Sequence, residues 1–298
     1  MPQIAANGLQ FEYDITGEGE PLLLIMGLGG QMTLWRDAFV AKLAARGYRV
    51  IRFDNRDIGL SEKLDAAGPP DMGAVLSAYA EGRVGPAAYN LSDMAADAAA
   101  LLTALGIDRA HIVGASMGGM IAQLVAADHP EKTLTLTSIM STTGNRGLPP
   151  AKPEAMAVLN RPAPDPTQDM EGYLASSVAA SKVIGSPGYP ADEADQRTFA
   201  RSNVARSYYP VGFQRQYAAV LASPDRRPRL ATIAVPTLVI HGEDDPLVPL
   251  EGGRDTAASI PGAELLTIPG MGHDIPPALY DRLIDAIDGV ARRAKAEA

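Results

Sequence analysis

Short runs of apolar residues alternate with longer stretches of helical spacing along the first half of the chain. Leu9 to Ile15 alternates apolar and polar positions, the period of an exposed antiparallel strand. Leu22 to Met26 is apolar throughout and stops at Gly27, which suits a central strand of a parallel sheet covered on both faces. Trp35 to Arg46 places Trp35, Phe39, Val40 and Leu43 near helical spacing before Gly47. Tyr48 to Phe53 reads as the next strand. Leu91 to Leu105 reads as a helix capped by Ser92 or Asp93 and ended by Gly106. A strand at Ala110–Val113, a helix at Met117–Ala127 and a strand at Leu134–Met140 follow. Strands alternating with such helices predict βαβ units and a parallel sheet.

The rhythm breaks between Thr142 and Leu230, a proline-rich stretch. Helices fit at Glu154–Leu159, Met170–Ile184, Asp192–Ser207 and Phe213–Leu221, and no strand does. The alternation resumes with a strand at Thr237–Ile240, a helix near Glu251–Ser259, a strand at Glu264–Thr267 and a helix at Ala278–Ala294. One sheet interrupted by a helical excursion is the predicted organisation.

Composition narrows the function classes. With 46% hydrophobic and 20% charged residues the chain is not of the disordered type. A formal net charge of −9 argues against nucleic-acid and anionic-membrane partners, which require a basic surface. The absence of cysteine excludes disulfides, thiolate metal sites and a cysteine nucleophile. The Met-Pro-Gln start carries no signal pattern. The window Ala110–Ala127 is almost long enough to span a membrane, but its glycines, Ser116 and Gln123 fit a strand, turn and helix better. A cytoplasmic protein without a membrane span is the expectation.

The chemistry sits at the ends of the predicted strands. Gly114-Ala115-Ser116-Met117-Gly118 fits G-x-S-x-G between a strand and a helix, the setting of a nucleophile elbow. The turn would lift the Ser116 hydroxyl to the sheet edge, beside the free N–H groups and positive end of the next helix. A serine nucleophile needs a base, and the base an orienting acid. Of the four histidines, His111 starts the strand leading to Ser116 and His129 ends the helix after it, both on the far side. His129 there would interact with the carbonyl end of its helix. His241 precedes a turn of its own and is expected to pin that loop. His273, in the glycine-rich loop Pro269–His273, is the candidate base. The acid should follow a late strand, where Glu243, Asp244 and Asp245 stand in a row. Asp245, fixed by Pro246, is preferred, with Asp244 as the alternative. No further spaced ligands accompany these carboxylates, so no metal is expected. For the oxyanion, one backbone N–H would come from Met117 and one from Leu28 in the loop Met26-Gly27-Leu28-Gly29-Gly30. That loop lacks the residues of a nucleotide-binding motif.

The order Ser116, Asp245, His273 is that of α/β-hydrolases. Leu23–Gly30, the block Arg52–Ser61, the Ser116 elbow, His241–Pro249 and Pro269–His273 together resemble the aclacinomycin methylesterase-like branch of that superfamily, whose blocks related bacterial lipases and esterases share. The resemblance implies an α/β fold with a mostly parallel eight-stranded sheet flanked by helices and a helical cap inserted after the sixth strand. It implies carboxylic ester hydrolysis through an acyl-enzyme, with no cofactor. Met26 stands where many relatives carry His, a departure the branch tolerates. Asp54 and Arg56 carry no expected catalytic role and are read as loop-fixing ion-pair residues.

If Ser116, Asp245 and His273 meet, the two flanks form one sheet. Residues 1–141 and 230–298 are then the core and 142–229 a cap. Leu28, Val248 and Ile275 flank the motifs and are expected to touch substrate, under a roof to which Tyr173, Tyr208, Tyr209 and Tyr217 contribute. The expected partner is a small-molecule ester, of small to medium apolar character. Thioesterase, perhydrolase and C–C hydrolase chemistry share the same triad, and a small-ligand receptor shares the same fold. The oligomeric state is not legible.

Overall fold

The computed structural model describes residues 2–296. Its first strands are β1 (Gln3–Ala6), β2 (Leu9–Thr16) and β3 (Glu20–Ile25), followed by α1 (Asp37–Ala45) and β4 (Tyr48–Phe53). Then come α2 (Met72–Ala80), α3 (Leu91–Ala104), β5 (Ala110–Ala115), α4 (Met117–Asp128) and β6 (Thr133–Ile139). Five helices separate β6 from the next strand: α5 (Pro153–Asn160), α6 (Met170–Ile184), α7 (Glu193–Arg206), α8 (Pro210–Ala222) and α9 (Arg227–Leu230). The chain closes with β7 (Thr237–Gly242), α10 (Leu250–Ser259), β8 (Glu264–Ile268) and α11 (Tyr280–Ala296).

The eight strands form one sheet in the order β1-β2-β4-β3-β5-β6-β7-β8. β1 with β2 and β2 with β4 pair antiparallel, and the remaining neighbours pair parallel. Alternation along the strands divides the core into two layers. Leu23, Ile25, Ile51 and Phe53 pack on one face with α3 and α4. Leu22, Leu24, Tyr48 and Val50 pack on the other with α1 and α11. Because both faces are covered, Leu22–Ile25 of β3 form an uninterrupted apolar run.

The order β4-β3-β5 means that the chain leaves β3 in one direction and later returns on its other side. This is the switch point at which open α/β sheets leave a crevice at the strand C-termini. The loops after β3 and β5 flank it, and those after β7 and β8 extend the same edge. Among the described residues no helix is long and apolar enough to cross a membrane.

Three local expectations change. The short, mostly exposed edge strand β1 and the helix α2 were not foreseen. The N-cap of α3 is Asn90, which accepts from the Ser92 and Asp93 amides while Asp93 returns a bond to the Asn90 N–H. Asp93 thus supplies the other half of a capping box rather than the cap itself.

Candidate active site

β5 ends in a turn that only this glycine pattern can close. Ser116 has φ 56° and ψ −121°, a left-handed setting costly for a side-chain-bearing residue. A Cβ at Gly114 would stand 2.0 Å from the Gly118 carbonyl oxygen, and one at Gly118 would stand 2.1 Å from that of Ile25. The Ser116 N–H donates to the Ile139 carbonyl at 2.9 Å. Its own carbonyl accepts from Gly119 N–H at 2.9 Å, Met120 N–H at 3.2 Å and the Ser141 hydroxyl at 2.9 Å. Met117 opens α4, so its N–H has no acceptor within the helix. That donor and the positive end of the helix lie directly after the serine.

A hydrogen-bonded chain runs from this turn across the strand ends. His273 Nε2 lies 2.9 Å from Ser116 Oγ, and His273 Nδ1 lies 2.7 Å from Asp245 Oδ2. The other Asp245 oxygen accepts from Leu247 N–H at 2.9 Å and Val248 N–H at 2.8 Å. The carboxylate is therefore fixed by its own turn while it faces the ring. Both Asp245 and His273 are buried, and Ser116 is half-buried.

The competing carboxylates turn elsewhere. Asp244 accepts from Gly270 N–H at 2.8 Å, and Glu243 accepts from the Thr267 hydroxyl at 2.8 Å. Neither reaches His273. Two of the other three histidines have separate settings, while His241 Nε2 lies 3.8 Å from Asp245 Oδ2. His111 contacts the Thr135 hydroxyl at 2.8 Å. The His129 ring faces the Glu131 carboxylate at 3.8 Å rather than the carbonyl end of its helix. His241 bonds the Val248 carbonyl at 2.8 Å, pinning the loop as its position suggested, and burial pushes its pKa down.

The His273 main chain is tethered to the helical segment between β6 and β7. Its N–H donates to the Ile184 carbonyl at the end of α6, at 2.7 Å. Gly272 N–H donates to the Ser186 hydroxyl at 2.9 Å, and that hydroxyl in turn donates to Asp274. Burial raises the Asp274 pKa.

The loop after β3 abuts the serine. A Cβ at Gly27 would stand 3.0 Å from Ser116 Cβ and 3.5 Å from its Oγ. Leu28 and Phe213 both pack against a cluster that contains Val75 and Tyr217. Of the other residues expected at the substrate, Ile275 packs against the core layer that contains α1 and α11. Val248 engages Asp245 and His241 through its backbone. Tyr173 and Tyr208 meet edge to face at 6.0 Å, while the Tyr209 hydroxyl turns to Asp65 and Arg215.

The block after β4 carries more than loop-fixing pairs. Asp54, fully buried, accepts from Met32 and Leu60 N–H groups at 2.8 Å and pairs with Arg206 at 2.7 Å. Arg56 forks onto Asp97 at 2.6 and 2.7 Å. Both are ion-paired, with partners in α7 and α3 rather than within the loop. Three further residues were not foreseen. Asp57, at φ 71°, receives the Arg215 fork at 2.8 and 2.6 Å. Asn55 Nδ2 donates to the Met26 carbonyl at 2.9 Å, and Gln216 Oε1 accepts from Gly29 N–H at 2.9 Å. No local pattern signals these contacts, since the last pair is 187 positions apart.

Known proteins share this fold and much of this sequence. The family model described as alpha/beta hydrolase fold matches residues 20–276. Rhodomycin D methylesterase DnrP of Streptomyces peucetius is 31% identical, over 92% of this chain and 91% of its own length. The 2-hydroxy-6-oxononadienedioate/2-hydroxy-6-oxononatrienedioate hydrolase of Burkholderia vietnamiensis is 30% identical, over 89% of this chain and 85% of its own. The crystal structure of a meta-cleavage product hydrolase from Pseudomonas fluorescens superposes with a TM-score of 0.74 at 21% identity, covering 99% of this chain and 98% of that one. The chain belongs to the alpha/beta hydrolase fold family.

Proposed function

We propose that this chain is a serine hydrolase of carboxylic esters, with Ser116 as nucleophile, His273 as general base and acid, and Asp245 as the acid that orients the ring. The observation that carries this reading is the unbroken chain from Ser116 Oγ through both His273 nitrogens to Asp245. An ionised carboxylate only accepts hydrogen bonds, so the proton belongs on Nδ1 and Nε2 is left to accept from the serine hydroxyl.

Chemistry follows from that tautomer. Ser116 Oγ adds to the ester carbonyl carbon as its proton passes to His273 Nε2. The carbonyl oxygen becomes an oxyanion held by the Met117 and Leu28 N–H groups, each worth about 10²–10³ in rate by analogy with measured donors. The C–O bond to the alcohol then breaks, and the alcohol leaves with the proton from Nε2. Water adds to the acyl-enzyme with His273 again as base, and the acid is released with Ser116 restored. Residues 142–229 act as a cap over the switch-point crevice. The apolar surroundings of Leu28, including Phe213 and Tyr217, favour apolar ester substrates of small to medium size. The methylesterase relative supports including methyl esters among them.

The test pairs turnover with labelling. Wild-type protein is expected to hydrolyse short p-nitrophenyl esters and to take up a fluorophosphonate on the Ser116 peptide. Ser116→Ala should lose about 10⁶ in kcat, as in other serine hydrolases, while remaining folded. Retained turnover in Ser116→Ala would sink the assignment. A wild-type Ser116 that no phosphonate labels would point to a small-ligand receptor instead.

A further inference from the structure

We infer that Gln216 and Asn55 are positioning residues for the reaction, because between them they fix the direction of the Leu28 N–H. This inference rests on the ester-hydrolase reading above and assigns part of its machinery to α8.

The donor loop fixes itself only in part, through one bond between Gly30 and Gly27. Each peptide unit is a rigid plane, and orientation is set by the two soft dihedrals between planes. The plane that carries the Leu28 N–H turns about the dihedrals of Gly27 on one side and of Leu28 on the other, and glycine leaves the first pair widely free. The Leu28 N–H shares its plane with the Gly27 carbonyl, and that carbonyl accepts from Gly30 N–H at 3.1 Å. The plane before it is held through the Met26 carbonyl, which accepts from Asn55 Nδ2 at 2.9 Å. The plane after it is held through Gly29 N–H, which donates to Gln216 Oε1 at 2.9 Å. Three consecutive planes are therefore pinned, and the N–H between the pins acquires one direction.

The pins are themselves anchored. Gln216 is fully buried, and its Nε2 donates to the Arg56 carbonyl at 2.9 Å. Asn55 is buried next to Arg56, whose guanidinium forks onto the buried Asp97. Arg215, one residue before Gln216, forks onto Asp57 of the same loop. A side-chain amide suits position 216 because it accepts at one end and donates at the other. A carboxylate could not donate to the Arg56 carbonyl, and an aliphatic chain would serve neither contact.

Lost preorganisation of an oxyanion donor falls on the transition state, not on the bound ester. Gln216→Met keeps length and volume while removing both bonds. In Gln216→Met, kcat per active site is expected to fall by about 10- to 100-fold, with KM within about twofold of wild type. Active sites are counted by the end-point of fluorophosphonate labelling, which corrects for any unfolded fraction. The affinity of a trifluoromethyl ketone, which forms a tetrahedral adduct on the serine, should fall in proportion to kcat/KM. Asn55→Leu should show the same split.

Unchanged kcat and ketone affinity per titrated site in both variants, with only the number of sites or the melting temperature lowered, would overturn the inference and leave a purely structural role. A rise in KM with kcat intact would also overturn it. Failure of the parent reading looks different, since wild-type protein would then neither turn over esters nor label.

Discussion

The two amides assigned to the oxyanion rest on different foundations. Met117 is held mainly by the main chain, through the elbow, its helix and the backbone bonds of Ser116, with the Ser141 hydroxyl as one added contact on the Ser116 carbonyl. Leu28 is held within its loop by Gly30 N–H on the Gly27 carbonyl and from outside by two side chains, one from the loop after β4 and one from α8. Both arrangements immobilise one N–H, yet they fail differently. A main-chain device fails when something is added to it, and a side-chain device fails when something is removed from it.

Three substitutions sharpen that contrast. The largest effect is expected from Arg215→Ala. It strips the counter-charge from Asp57 in a pair whose side chains are 1% and 0% exposed. Breaking such a buried pair costs about 3–5 kcal/mol. Urea denaturation should show that loss, and kcat per titrated site should fall too, since the helix that carries Gln216 loses its neighbouring anchor. A loss below about 1 kcal/mol would mean that α8 does not depend on this pair.

Gly118→Ala probes the other foundation. Its Cβ would press on the Ile25 carbonyl oxygen at 2.1 Å, and main chain at the centre of a sheet cannot yield. Displacement of the elbow by about 1 Å should cost about 10² in kcat. Steady-state kinetics on titrated sites would measure it, and near-wild-type turnover would show that the elbow is softer than its packing indicates.

The smallest effect is expected from Gly30→Ala, in the Leu28 loop. There the new Cβ would meet side chains rather than main chain: Leu34 Cδ1, on a half-exposed side chain that can swing aside, and Cγ of the buried Met26, each at 2.7 Å. Stability should fall by about 1–3 kcal/mol, because Met26 must repack, and kcat by less than about tenfold. A drop as large as that of Gly118→Ala would erase the distinction between the two supports.

The same distinction explains what could be read from the chain. Ser116, Asp245 and His273 are each marked by neighbours in sequence: two glycines, a following proline, and a glycine-rich loop after a strand. In the sequence only Pro246 favours Asp245 over Asp244; in the structure Asp244 is engaged by the Gly270 amide. The helix Met170–Ile184 and the strand Tyr48–Phe53 have the bounds their spacing suggested, because apolar periodicity and terminal signals coincide there. β1 escaped because a four-residue, mostly exposed edge carries too little pattern. Gln216 and Asn55 escaped for a deeper reason. Each answers to a backbone group far along the chain, and a lone buried amide has no periodicity to betray it. Asp54 and Arg56 fall between these cases: their charge forecast ion pairs, but nothing local named Arg206 or Asp97.

The bond from His273 N–H to the Ile184 carbonyl bears on protein engineering. Exchanging the roof over a crevice is an attractive way to retarget a hydrolase, on the assumption that roof and engine are separate modules. Here a donor graft spanning α6 would have to reproduce one carbonyl at the right height, or the imidazole would lose its footing. Chimaeras that preserve the turn at Ile184–Ser186 and vary the residues around it therefore offer the safer library.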